Sequence, residues 1–75
     1  MKTATIEAMY IELGKRIVSA RKAKNISQER LATDSGIDRS HMGFIEQGRR
    51  KPTLSTLYKI TKSLNITLEQ LFKNM

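Results

Sequence analysis

The sequence predicts an all-α fold, a compact bundle of five short helices, and three observations predict it. Apolar residues recur at three- and four-residue steps along most of the chain, with no alternating stretch that would make a strand. Helix starts repeat one grammar, an isoleucine followed directly by Ser, Asp or Thr, at Ile26-Ser27, Ile37-Asp38 and Ile66-Thr67. Near the middle, Ser35-Gly36 marks a sharp turn, because glycine takes the left-handed conformation that ends one helix and starts the next at a steep angle. Residues 27–47 therefore read as a helix-turn-helix, within a single domain over residues 1–75.

The first helix is expected from about Thr5 to Lys24, where Ile6, Met9, Tyr10, Leu13, Ile17 and Ala20 form an apolar stripe. Residues 1–10 read as an N-terminal extension of it. Glu7 and Glu12 stand toward its positive end, and Lys15, Arg16, Arg21, Lys22 and Lys24 crowd its second half, as the helix dipole favours. Asn25 is a candidate left-handed cap. Ser27 then caps the second helix while Ile26 staples onto Leu31, and Asp38 caps the third while Ile37 staples onto Met42. Ala32 is small enough to let that third helix approach closely, and Gly48 ends it. Past Arg49-Arg50-Lys51-Pro52, Thr53 caps a fourth helix with Leu54, Leu57, Ile60 and Leu64 inward and Lys59 and Lys62 outward. Asn65 closes it. Thr67 opens the fifth, about Leu68 to Lys73, in a capping box with Gln70, and Leu68, Leu71 and Phe72 are offered to the core.

Composition narrows the function. Seventy-five residues suffice for one core and leave no room for a small-molecule effector domain. Cysteine is absent and His41 stands alone, so no disulfide, metal site or other cofactor is expected. No apolar run approaches the roughly 20 residues that span a bilayer, and no secretory h-region is present, so no membrane is expected and the chain is placed in the cytoplasm. Fourteen Lys and Arg against seven Asp and Glu leave a net charge of +7, a strong field for polyanions, and double-stranded DNA is the expected partner. With no phosphate loop, no carboxylate pair and no nucleophile with a base at workable spacing, the chain does not read as an enzyme.

The candidate reading surface is the third helix. At about 100 degrees per residue, Met42 and Ile45 fall on one side and Ser40, Gly43, Phe44 and Gln47 on the other, with Arg39 at the N-terminal edge. A helix face selected for solvation alone would carry Lys and Glu pairs rather than a glycine and a phenylalanine. Gly43 costs roughly 1 kcal/mol relative to alanine, which suits close approach to another surface. Arg39 has the fork of donors that matches guanine, Ser40 suits several base edges, and Phe44 suits a thymine methyl; a Phe44 folded back onto the core is the structural alternative. Arg39, Ser40, Gly43 and Phe44 are thus the base-reading candidates. Gln28 at the start of the second helix, His41 at the flank of the third, and Arg49, Arg50 and Lys51 just after it are the phosphate-binding candidates, with a half-buried structural role the alternative for His41.

Together with Leu13-Gly14-Lys15-Arg16-Ile17, Arg21, Ser27-Gln28-Glu29-Arg30-Leu31-Ala32, Gly36-Ile37, Met42, Ile45-Glu46, Gly48, Pro52 and the stretch from Leu64-Asn65-Ile66 to Leu71-Phe72, these residues resemble the phage-repressor-like, Xre-type helix-turn-helix regulators. The resemblance implies a lambda-repressor-like five-helix domain that binds DNA as a homodimer, with the third helix in the major groove. It also implies a buried structural ion pair between Arg21 and Glu46. The Asp38-Arg39-Ser40 start and the short chain look like the controller proteins of restriction-modification systems. The leading function is then a sequence-specific transcriptional regulator, a repressor or an activator, on a pseudo-palindromic operator; an antitoxin or other protein-binding regulator of the same fold is the alternative. Helices four and five, or the N-terminal extension with Ile6, Met9 and Tyr10, are the candidate dimer surfaces.

Overall fold

Five helices form in the computed structural model, which describes residues 5–75: α1 (Ile6–Ala23), α2 (Gln28–Ser35), α3 (Arg39–Glu46), α4 (Leu54–Leu64) and α5 (Leu68–Phe72). Residues 1–4 of the expected N-terminal extension lie outside the described residues. Each start is fixed locally. Thr5, Ser27, Asp38, Thr53 and Thr67 accept hydrogen bonds from first-turn amides, and Thr67 and Gln70 form the reciprocal capping box. Each such cap stabilises its helix by about 1 kcal/mol.

The first four helices also end alike. A left-handed residue follows each of them: Asn25 (φ 57°), Gly36 (φ 68°), Gly48 (φ 76°) and Asn65 (φ 57°). The next amide then reaches back five residues, from Ile26 to the Arg21 carbonyl (3.4 Å), Ile37 to Ala32 (2.9 Å), Arg49 to Phe44 (2.9 Å) and Ile66 to Thr61 (3.0 Å). This is the Schellman closure, which satisfies carbonyls the helix leaves unpaired.

Leu13, Ile17, Leu31, Ala32, Met42, Ile45, Leu57, Ile60, Leu64 and Leu71 form one buried cluster, flanked by Tyr10, Ile26, Ile37, Ile66, Leu68 and Phe72. Around it α1 packs against α3 and α5, α2 against α3 and α4, and α4 against α5. The α1–α3 contact depends on Gly14. A methyl group there would lie 2.7 Å from the Ile45 carbonyl oxygen and closer still to that of Glu46, so only a bare Cα lets the end of α3 rest on α1. At the other end of the bundle, Arg16 ties α1 to α5, donating to the Leu71 carbonyl at 3.0 Å, to the Lys73 carbonyl, and to Glu12 at 3.0 Å.

Leu54 corrects one expectation. Periodicity placed it inward, yet it is 65% exposed, and Ile6 is 59% exposed. Both are the first residue of their helix, and helical side chains lean toward the N-terminus, so each projects past the end of the helix rather than onto the core. Pro52, two residues before Leu54, is buried instead.

Candidate nucleic-acid interface

α3 has two faces with different chemistry. Met42 and Ile45 are sealed in the core, and Glu46 is buried beside them, while Arg39, Ser40, His41 and Gln47 are exposed. Asp38 sets the direction of the exposed face. Its carboxylate takes the Ser40 and His41 amides at 3.1 and 3.3 Å, which fixes the first turn and turns those two side chains outward beside it.

A buried carboxylate needs a cation and further hydrogen bonds. The structure brings Arg21 to Glu46: the guanidinium donates to both carboxylate oxygens, at 2.8 and 3.1 Å, and a third donor reaches the Ile26 carbonyl at 3.0 Å. The Glu46 side chain is only 5% exposed. Gln28 completes the arrangement. Its Nε2 donates to Glu46 at 3.0 Å, and its Oε1 accepts from Arg39 at 3.0 Å. Arg39 at the outer edge is thus linked through Gln28 to the buried pair, and its position follows from the packing of α1, α2 and α3.

Gly43 has a partner within the chain. A methyl group at this position would sit 3.4 Å from the Gln28 Oε1, in ordinary contact, so the Gln28 amide lies over Gly43 without requiring a glycine there. Phe44 is half-buried, so its ring is not folded fully into the core. The Arg49 and Arg50 guanidinium carbons lie 5.1 and 5.5 Å from its ring centroid, and Lys51 Nζ lies 5.9 Å from that of Tyr10. An open groove runs along this edge of α3, lined by Asp38, Ser40, His41, Phe44 and Arg50.

The sequence signals for the Gln28 bridge were present but indirect. Glu46 falls on the core side of a basic protein and needs more than one partner, and the costly Gly43 stands three residues before it. No spacing within one helix joins Gln28 to either residue, because the bridge depends on the angle between α2 and α3.

Residues 17–71 match the helix-turn-helix family's profile. The chain belongs to that family. Its relatives in it include control protein C.SmaI of Serratia marcescens, 41% identical over 59 residues, which span 79% of this chain and 70% of that one. Control protein C.MunI of Mycoplasma is 38% identical over 66 residues, 87% of this chain and 89% of the relative. The crystal structure of the restriction-modification controller protein C.AhdI from Aeromonas hydrophila superposes with a TM-score of 0.85 at 40% identity, covering 87% of this chain and 98% of that one. This helix-turn-helix chain is accordingly a small transcriptional regulator and not an enzyme. Among its described residues no helix is long and apolar enough to cross a membrane.

Proposed function

We propose that this regulator binds double-stranded DNA sequence-specifically as a homodimer, on a pseudo-palindromic operator, and serves as the controller of a restriction-modification system. α3 enters the major groove, and half-sites stand about 34 Å apart. The observation that carries this reading is the pairing of an anchored, exposed Arg39 on α3 with the Arg49-Arg50-Lys51 segment directly after that helix. One end supplies donors for base edges. The other supplies cations for the backbone.

Arg39 and Ser40 make the hydrogen bonds that discriminate bases, Gly43 keeps the centre of the helix low, and Phe44 turns an apolar edge toward a thymine methyl. Arg49, Arg50 and Lys51, with His41 and the amides at the start of α2 near Gln28, hold phosphates and set register. The two copies meet through α4 and α5, where Leu54 and Tyr58 leave apolar surface exposed, or through α1, where Ile6 and Ile11 do. The likeness to controller proteins at 38–41% identity supports the biological role.

Selection of bound sequences from a random duplex library, at stated salt, tests the reading and supplies the operator. With that operator, Arg39→Ala is expected to lose about 1–3 kcal/mol of preference for cognate over random duplex. Lys51→Ala is expected to weaken both alike and lower the salt slope by about 1. Equal loss of specificity from the two substitutions would overturn the assignment of roles.

A further inference from the structure

The end of α3 carries a feature that base reading does not require. In a Schellman closure the residue after the left-handed position usually makes an apolar contact with the residue whose carbonyl it bonds. Here those two residues are Arg49 and Phe44, joined by the 2.9 Å backbone bond, and the contact between their side chains is a guanidinium over a ring at 5.1 Å. Arg50 lies 5.5 Å from the same ring, and the third cation of the segment, Lys51, rests at 5.9 Å on Tyr10. Arg49 also donates to the Gln47 Oε1 at 3.4 Å, so the basic segment is held by two rings and an amide oxygen rather than by carboxylates.

We propose that Phe44 is a positioning residue for the phosphate-binding arginines, holding Arg49 and Arg50 in their DNA-bound arrangement before DNA arrives. The proposal rests on the DNA-binding reading above. A guanidinium lying over a ring keeps its in-plane N–H donors, so the aromatic contact and a phosphate do not compete for the same atoms. A carboxylate partner would compete, and would also repel the backbone. Two guanidinium groups near one ring place two positive charges at the end of α3, and a phosphate there is attracted by both. Restricting two long side chains in advance removes part of the ordering cost that binding otherwise bears. Phe44 suits the task because its helix is locked into the core by Met42 and Ile45, so the ring is a fixed platform.

A double-mutant cycle on random-sequence duplex isolates this role, because a thymine contact contributes only to the cognate site. Phe44→Leu keeps an apolar side chain and removes the ring; it is expected to weaken binding to random duplex about two- to fivefold, with Phe44→Tyr close to wild type. Arg50→Ala is expected to cost less in the Phe44→Leu background than in the wild type. Additive costs, or a Phe44→Leu loss confined to the cognate operator, would overturn the proposal. Melting curves establish that Phe44→Leu folds; if it does not, Phe44→Met keeps a similar apolar volume without a ring and is expected to show the same loss, and wild-type affinity from it would overturn the proposal. A wild-type chain that binds no duplex in a salt-dependent way refutes DNA binding itself, whereas salt-dependent binding with an additive cycle refutes only the role of Phe44.

Discussion

The ends of α1, α2 and α4 and the end of α3 share one backbone device and use it for opposite purposes. All four turn through a left-handed residue and close with an amide that reaches back five positions. At three of them the closing residue is isoleucine, and Ile26, Ile37 and Ile66 pack against the core. At α3 it is Arg49, which is exposed and lies over Phe44. The closure fixes where the chain goes next, and the side chain at that position decides whether the turn seals the core or displays a charge.

The two kinds of end are joined through Arg21. Its carbonyl receives the Ile26 amide at the end of α1, and its guanidinium holds the Ile26 carbonyl and the buried Glu46 at the end of α3. Removing Glu46 should therefore have the largest effect. Glu46→Ala leaves a guanidinium largely out of solvent without its anion, and a loss of about 3–5 kcal/mol is expected in chemical denaturation at fixed protein concentration. A loss below about 1 kcal/mol, the scale of a surface ion pair, would mean that the link between the two ends bears no strain.

The two glycine ends give a sharper contrast. Gly36 has nothing within 4 Å of the position a methyl group would take, whereas the same group at Gly48 would lie 2.7 Å from the Ile11 Cα and 2.9 Å from its nitrogen. Gly36→Ala meets only the backbone penalty of the left-handed region, about 1–2 kcal/mol. Gly48→Ala adds overpacking against α1, for about 2–4 kcal/mol in all. Denaturant midpoints measured side by side check the order of the two, and equal losses would show that α1 yields at Ile11 without cost.

These contrasts also explain what could be read in the sequence. Caps and left-handed ends are legible at Ser27, Asp38, Asn25 and Gly36 because each involves residues within a few positions of one another. Leu54 was misread because its spacing is right but its place is not. At the first position of α4 the side chain leans away from the core, which periodicity does not encode. In the candidate site, the wheel separated the buried Met42 and Ile45 from the exposed Ser40 and Gln47, since one helix determines that division, while Gly43 and Phe44 of the same outward set are half-buried. Arg21 and Glu46 are 25 residues apart, and only the family resemblance suggested their contact. The Gln28 side chain spans Glu46 and Arg39, an arrangement created by the crossing of α2 and α3 that no spacing within one helix announces. For Phe44, the sequence offers core and DNA as surroundings. The chain's own arginines supply a third, because the turn at Gly48 brings the next two residues back over the ring.

The smallest effect on stability should come from the residue that makes α3 different. Ile66→Ala removes part of the apolar wall beside α5, and because Ile66 is only half-buried the expected loss is about 1–3 kcal/mol, toward the low end for an isoleucine truncation. Arg49 occupies the same place in its own closure, but its side chain is in solvent, so Arg49→Ala should change stability by less than about 0.5 kcal/mol. Its cost belongs to binding instead. Affinity for cognate and random duplex should fall together, and the slope of log affinity against log salt should become shallower by about 1, the signature of one lost phosphate contact. Ile66→Ala should leave that slope unchanged in protein that remains folded. If Arg49→Ala destabilises the fold as much as Ile66→Ala and leaves the slope intact, then the closing residue of α3 serves the core as the isoleucines do.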